Sequence, residues 1–145
     1  MQRLPETNGI SVEFLINNIW LILAALLSGG ALLFPSLMRG KGTLSTLQAT
    51  QLLNQGKVAI VDVRSPEEFS GGHLRLSKNI PLAQLGERIG ELDKSAAVLV
   101  ICASGSRASR AAAQLRRAGF GQVHLLGGGF GEWQSQGLPV TKAKA

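Results

Sequence analysis

The chain has 145 residues, 45% hydrophobic and 17% charged, and carries a net charge of +6 at pH 7. One ordinary domain and a short extra element fit that length, and the charged share is low against the usual quarter or so. A single cysteine excludes an intrachain disulfide framework and a cysteine-rich metal site. His73 and His124 are too far apart for ligand spacing, so no metal is expected. Without tyrosine or a dense basic stripe, a nucleic-acid partner is not expected either.

Residues 1–13 read as a short N-terminal tail. No charge occurs between Glu13 and Arg39, and residues 14–38 are expected to form one transmembrane helix, because a bilayer core of roughly 30 Å takes about 20 apolar residues. Trp20 lies near one end, where an indole suits the headgroup region. A cleaved signal peptide fits less well. Arg3 is offset by Glu6 and Glu13 before the run, and after Ser28-Gly-Gly-Ala31 the run resumes with Leu32-Leu-Phe34. Arg39 and Lys41 after the span, against Arg3 before it, predict a single-pass inner-membrane protein with its C-terminal domain in the cytoplasm. Such an anchor makes the membrane a partner and allows for a membrane-protein partner. Residues 39–42 read as a linker, 43–140 as the folded domain and 141–145 as a frayed tail.

Within the domain, helix and strand signals alternate. Ser45 can cap a helix carrying Leu47, Leu52 and Leu53 that stops at Gly56. Val58-Ala-Ile-Val61 reads as a buried strand ending in Asp62. Ser65-Pro-Glu-Glu68 combines a cap, proline at the first helical position and glutamate three after the cap, so a helical turn starts there. Lys78-Asn-Ile80 is a brief strand closed by Pro81. Leu82, Leu85, Ile89 and Leu92 have helical spacing. Val98-Leu-Val-Ile101 reads as a central strand and residues 107–118 as a helix ended by Gly119. Val123-His-Leu-Leu126 is another strand, and a last helix covers residues 130–136. Continuous apolar strands separated by helices predict an α/β domain with a parallel sheet flanked by helices. Ligands in such sheets bind beyond the C-terminal ends of the strands, where Cys102 falls.

Cys102-Ala-Ser-Gly-Ser-Arg107 therefore joins a buried strand to a helix. The small residues Ala103, Ser104, Gly105 and Ser106 let the backbone close around the sulfur with its N–H groups turned inward. The helix N-terminus and Arg107 add positive charge and favour a thiolate open to solvent. Asp62 and Arg64, two apart at a strand end, point the same way and suit a structural ion pair supporting the loop. His73 fits a hydrogen-bonding turn residue, and Trp133 fits packing.

These pieces together resemble the rhodanese family. Cys102-x-x-Gly105-x-Arg107 is similar to its active-site loop, and Asp62-Val-Arg64 to its Asp-x-Arg element. Gly72-His73-Leu74 with Asn79-Ile80-Pro81-Leu82 resembles its Gly-His-Ile … Asn-Ile-Pro element. Gly127-Gly128-Gly129-Phe130, Trp133 and Gly137-Leu-Pro-Val140 resemble its closing element. The order is kept across almost all of residues 43–140. With the apolar run, the chain resembles small membrane-tethered bacterial members. One departure is Leu76-Ser77, where the family usually has Gly-Ala; leucine does not easily take a glycine-only conformation, so that turn is expected to differ.

The resemblance implies sulfur transfer in two steps and no cofactor. Cys102 takes sulfane sulfur from a small anionic donor such as thiosulfate and passes it to a thiol or protein acceptor. Residues 103–107 bind the persulfide, and Arg107 also binds the anion. Related phosphatases place five residues between Cys and Arg; four separate Cys102 from Arg107, and the tighter ring suits sulfur. A second expectation is a membrane-tethered adaptor of the same fold, binding a translocation or insertion partner without turnover.

Overall fold

A computed structural model of the chain describes residues 12–38 and 42–142. Residues 1–11 of the expected tail, 39–41 of the expected linker and 143–145 lie outside the described residues. The chain divides into two units, Met1–Gly40 and Lys41–Ala145.

In the first unit, helix α1 (Val12–Asn17) abuts helix α2 (Ile19–Met38). They meet at Asn18, whose side-chain amide donates to the Phe14 carbonyl at 2.8 Å, a local bond of the kind that competes with regular helix. Among the described residues, no helix is long and apolar enough to cross a membrane. This overturns the expected span over residues 14–38, and with it the single-pass inner-membrane placement with a cytoplasmic domain. The turn at Asn18 divides the apolar run into α1, of 6 residues, and α2, of 20, so the run is not one continuous helix over residues 14–38.

The second unit is a five-stranded sheet in the order β1-β5-β4-β2-β3, parallel throughout. The strands are β1 (Thr43–Leu44), β2 (Val58–Asp62), β3 (Lys78–Asn79), β4 (Ala97–Ile101) and β5 (Val123–Leu126). Between them run α3 (Thr46–Asn54), α4 (Pro66–Ser70), α5 (Leu85–Arg88) and α6 (Ser106–Arg117), with α7 (Gly129–Ser135) last. Both predicted N-caps hold. Ser45 accepts from Gln48 and Ser65 from Glu68, and each partner's side chain accepts in return from the cap amide, two capping boxes. The expected helix over residues 82–92 is instead a 3-10 turn (Leu82–Gln84), α5 and a second 3-10 turn (Ile89–Glu91). Gly86 and Gly90 interrupt its apolar period, and glycine costs helix about 1 kcal/mol each against alanine. β1 has no counterpart in the sequence reading; two residues are too few to show a period.

All five residues of β4 are buried, as a central parallel strand covered on both faces requires. Val98, Val100 and Cys102 face the layer of α5 and α6, beside Ala108, Ala111, Ala112 and Leu115. Leu99 and Ile101 face the layer of α3 and α7, beside Ala49, Phe130 and Trp133. The connection after β2 runs outward to β3, and the one after β4 runs the other way, to β5. The switch point therefore lies between the C-terminal ends of β2 and β4, where Asp62 is in register with Ile101. Open α/β sheets bind ligands at such points.

Candidate active site

Cys102 leaves β4 directly into this crevice. Ala103, Ser104 and Gly105 form bends at the surface, and α6 starts at Ser106. Gly105 adopts φ 102, a left-handed conformation natural only to glycine. Its N–H is thereby directed at the Cys102 sulfur, with N···Sγ 2.8 Å. The expected ring of amides over residues 103–107 is represented at the sulfur by this one bond. The expected exposure of the thiol is corrected: Cys102 has 0% relative exposure, because the loop folds over the sulfur while α6 packs beneath it.

The far side of the loop is held by the turn into α7. Phe130 N donates to the Cys102 carbonyl at 2.7 Å and Gly131 N to the Ala103 carbonyl at 3.1 Å. Gly129, at φ 63, makes this approach possible, since a Cβ there would collide with the Cys102 carbonyl oxygen. These bonds fix both carbonyls on the α7 side.

Asp62 and Arg64 form the predicted ion pair, Nη2···Oδ2 2.7 Å, with both side chains almost wholly buried. Arg64 Nε also lies 3.0 Å from each Asp62 carboxylate oxygen. The guanidinium donates to the Gly72 carbonyl at 2.7 Å and sits 4.0 Å over the Phe130 ring. The pair thus ties the end of β2 to the α7 turn that backs the cysteine loop. Asn79 completes the support. Its amide donates to the Asp62 and Arg64 carbonyls at 3.1 and 3.0 Å. His73 is a turn residue, its Nδ1 2.9 Å from the Phe69 carbonyl and its ring stacked on Phe69. Trp133 is buried, and its indole N–H donates to Pro139. Leu76 takes φ 65, so leucine does adopt the left-handed conformation that the sequence reading expected it to avoid. Its side chain stays in solvent, 85% exposed.

Arg107 does not stand free beside the sulfur. Glu68 grips it end-on, Nη1···Oε2 and Nη2···Oε1 both 2.8 Å. The same carboxylate accepts from the Ser65 amide at 2.9 Å. The hydrogen bonds from Arg107, then the one from Ser65, hold the Glu68 carboxyl down at about 2. Arg107 is raised above its ordinary value, chiefly by its Glu68 hydrogen bonds and then by the Glu68, Cys102 and Asp62 charges. The sequence reading missed Glu68 as a site residue. Its visible signal was the capping box, which explains one of its carboxylate contacts and conceals the pairing with a residue 39 positions away.

Residues 45–136 match the rhodanese-like domain. The chain is 42% identical over 77 residues to the uncharacterized protein YqhL of Bacillus subtilis, a match covering 53% of this chain and 61% of that protein. The chain thus spans about three fifths of that relative's length. It is 36% identical over 92 residues to the thiosulfate sulfurtransferase GlpE of Ectopseudomonas mendocina, covering 63% of this chain and 84% of that one. Among solved structures, it is similar to a rhodanese-related protein from Thermoplasma volcanium, with TM-score 0.63 and 28% identity over 68% of this chain and 96% of the other.

Proposed function

The chain belongs to the rhodanese-like family, and from that premise we propose that it is a sulfurtransferase working through a persulfide on Cys102. The observation that carries this reading is the Gly105 N–H aimed at Sγ at 2.8 Å, at the switch point of the sheet. A backbone donor there stabilises a sulfur anion without a countercharge that could leave. The Cys102 thiolate attacks the outer sulfur of a donor such as thiosulfate. An Sγ–S bond forms, the donor S–S bond breaks, and its electron pair leaves with sulfite. A thiol or protein acceptor, as thiolate, then takes the outer sulfur and returns Cys102 to the thiolate. This is covalent catalysis with ping-pong kinetics. Cys102, the loop Ala103–Ser104–Gly105–Ser106 and Arg107 carry it, Asp62 and Arg64 support it, and the chemistry uses no cofactor. Because Cys102 is covered, each half-reaction includes an opening of the loop.

That same burial favours a second reading, an adaptor that keeps the fold and binds a partner without turnover. One experiment separates the two. Full-length protein is incubated with thiosulfate or with a low-molecular-weight persulfide, and intact mass is measured alongside Cys102→Ser. The enzyme reading expects one added sulfur atom on the wild type, lost with a thiol acceptor and absent from the variant. No mass added to either protein with either donor would leave the adaptor.

A further inference from the structure

The expected role of Arg107 was to present positive charge to an anionic donor, yet both of its terminal nitrogens are occupied by a carboxylate. The second guanidinium near the crevice, Arg64, is likewise paired with Asp62. Among the described residues, these two cations and two anions, each coupled to its partner, sum to zero around the Cys102 thiolate. Arg110, one turn further along α6, is exposed and screened by solvent. A dianion gains little from such a mouth, while a donor of lower charge loses little.

We infer that Glu68 is a specificity-determining residue, which cancels the charge of Arg107 at the mouth of the Cys102 loop and shifts the donor preference from dianionic thiosulfate toward persulfides of low charge. This rests on the sulfur-transfer reading. For a thiol persulfide, the Cys102 thiolate attacks the terminal sulfur. Sγ–S forms, the donor S–S bond breaks, and the donor's inner sulfur leaves as a thiolate with the electron pair. Glu68 acts through Arg107, so it is a positioning residue with an electrostatic readout. Its carboxylate is built into two elements at once, through the Ser65 amide of the α4 cap and the guanidinium of α6. The ionised form is the working one at neutral pH, since its carboxyl titrates at about 2.

The test is Glu68→Gln in the full chain. Glutamine keeps one oxygen that accepts from Ser65 and from one Arg107 nitrogen, so the cap survives; the carboxylate charge and the second Arg107 bond are lost. Cys102 is alkylated with iodoacetate, an anion, and with iodoacetamide, which is neutral. Both reagents need the same loop opening, so the ratio of their rates reports the charge of the mouth. The ratio should rise about fivefold in Glu68→Gln and fall in Arg107→Gln, which leaves Glu68 unopposed. With donors, kcat/KM for thiosulfate should rise by a similar factor through KM, while that for the persulfide of 2-mercaptoethanol stays within about twofold. An unchanged alkylation ratio, equal shifts for both donors, or a Cys102 that resists both reagents would overturn the inference. If neither donor loads sulfur on any variant, the sulfur-transfer reading fails and the donor preference falls with it. The alkylation ratio still decides whether Glu68 sets the charge.

Discussion

Gly129 stands directly against the carbonyl of Cys102, close enough that no Cβ fits between them, and the next amide, Phe130 N–H, donates to that carbonyl at 2.7 Å. The cysteine loop therefore has its shape dictated from behind, by residues 27 or more positions later in the chain. Gly129→Ala adds a methyl group where backbone already is, at a φ of 63. It should cost about 2–4 kcal/mol of stability and lower sulfur loading on Cys102 more than a remote variant of equal cost. Urea unfolding and intact mass after donor treatment check the two parts. A variant with wild-type stability would mean that the α7 turn is not seated as described.

The buried Asp62–Arg64 pair should show the asymmetry of buried charges. Asp62→Ala leaves the Arg64 guanidinium buried without a countercharge, at an expected cost of about 3–5 kcal/mol. Arg64→Met added to that variant removes the orphaned charge and should recover a large part of the loss. Denaturant midpoints of the single and double variants, compared as a cycle, measure the coupling. A double variant no more stable than the single one would contradict the prediction.

The Glu68–Arg107 pair predicts an acid-side dependence. Glu68 titrates at about 2 in the folded protein against 4.5 ordinarily. Because the folded value is the lower one, the contribution is complete above pH 4.5 and is lost as pH falls toward about 2. Both side chains are 37% exposed, so the contribution is at most about 1 kcal/mol. Glu91, also at about 2 through Arg88 and Lys78, titrates over the same window. Unfolding free energy measured across that window should fall less steeply in Glu68→Gln than in the wild type. Parallel curves would show that the pair is absent in solution.

Leu76 offers the opposite sign. A left-handed leucine with 85% exposure carries backbone strain and little burial. Leu76→Gly relieves roughly 1–2 kcal/mol of strain, partly offset by the greater unfolded-state entropy of glycine. A net gain of about 0.5–1 kcal/mol in denaturant unfolding is expected; a loss would mean that the Leu76 side chain has a partner in solution.

Much of the second unit was legible in the chain because its signals are local. An apolar run bounded by turn residues shows a buried strand, and Ser65-Pro-Glu-Glu68 shows a helix start within four residues. The order of Cys102, Gly105 and Arg107 is likewise a linear fact, and it was enough to single out Cys102 as the proposed nucleophile and the loop around it. Tertiary structure alone decided which surface covers Cys102, which residue occupies Arg107 and which carbonyl Gly129 must accommodate. The last two join residues far apart in sequence, Glu68 with Arg107 and Gly129 with Cys102, which only the packing of loops around the C-terminal ends of the strands brings together. The apolar run of the first unit shows the converse limit. Composition over residues 14–38 suggested one uninterrupted span, but the chain forms two helices that meet at Asn18. Where a helix is divided is a matter of backbone geometry, which hydropathy does not measure.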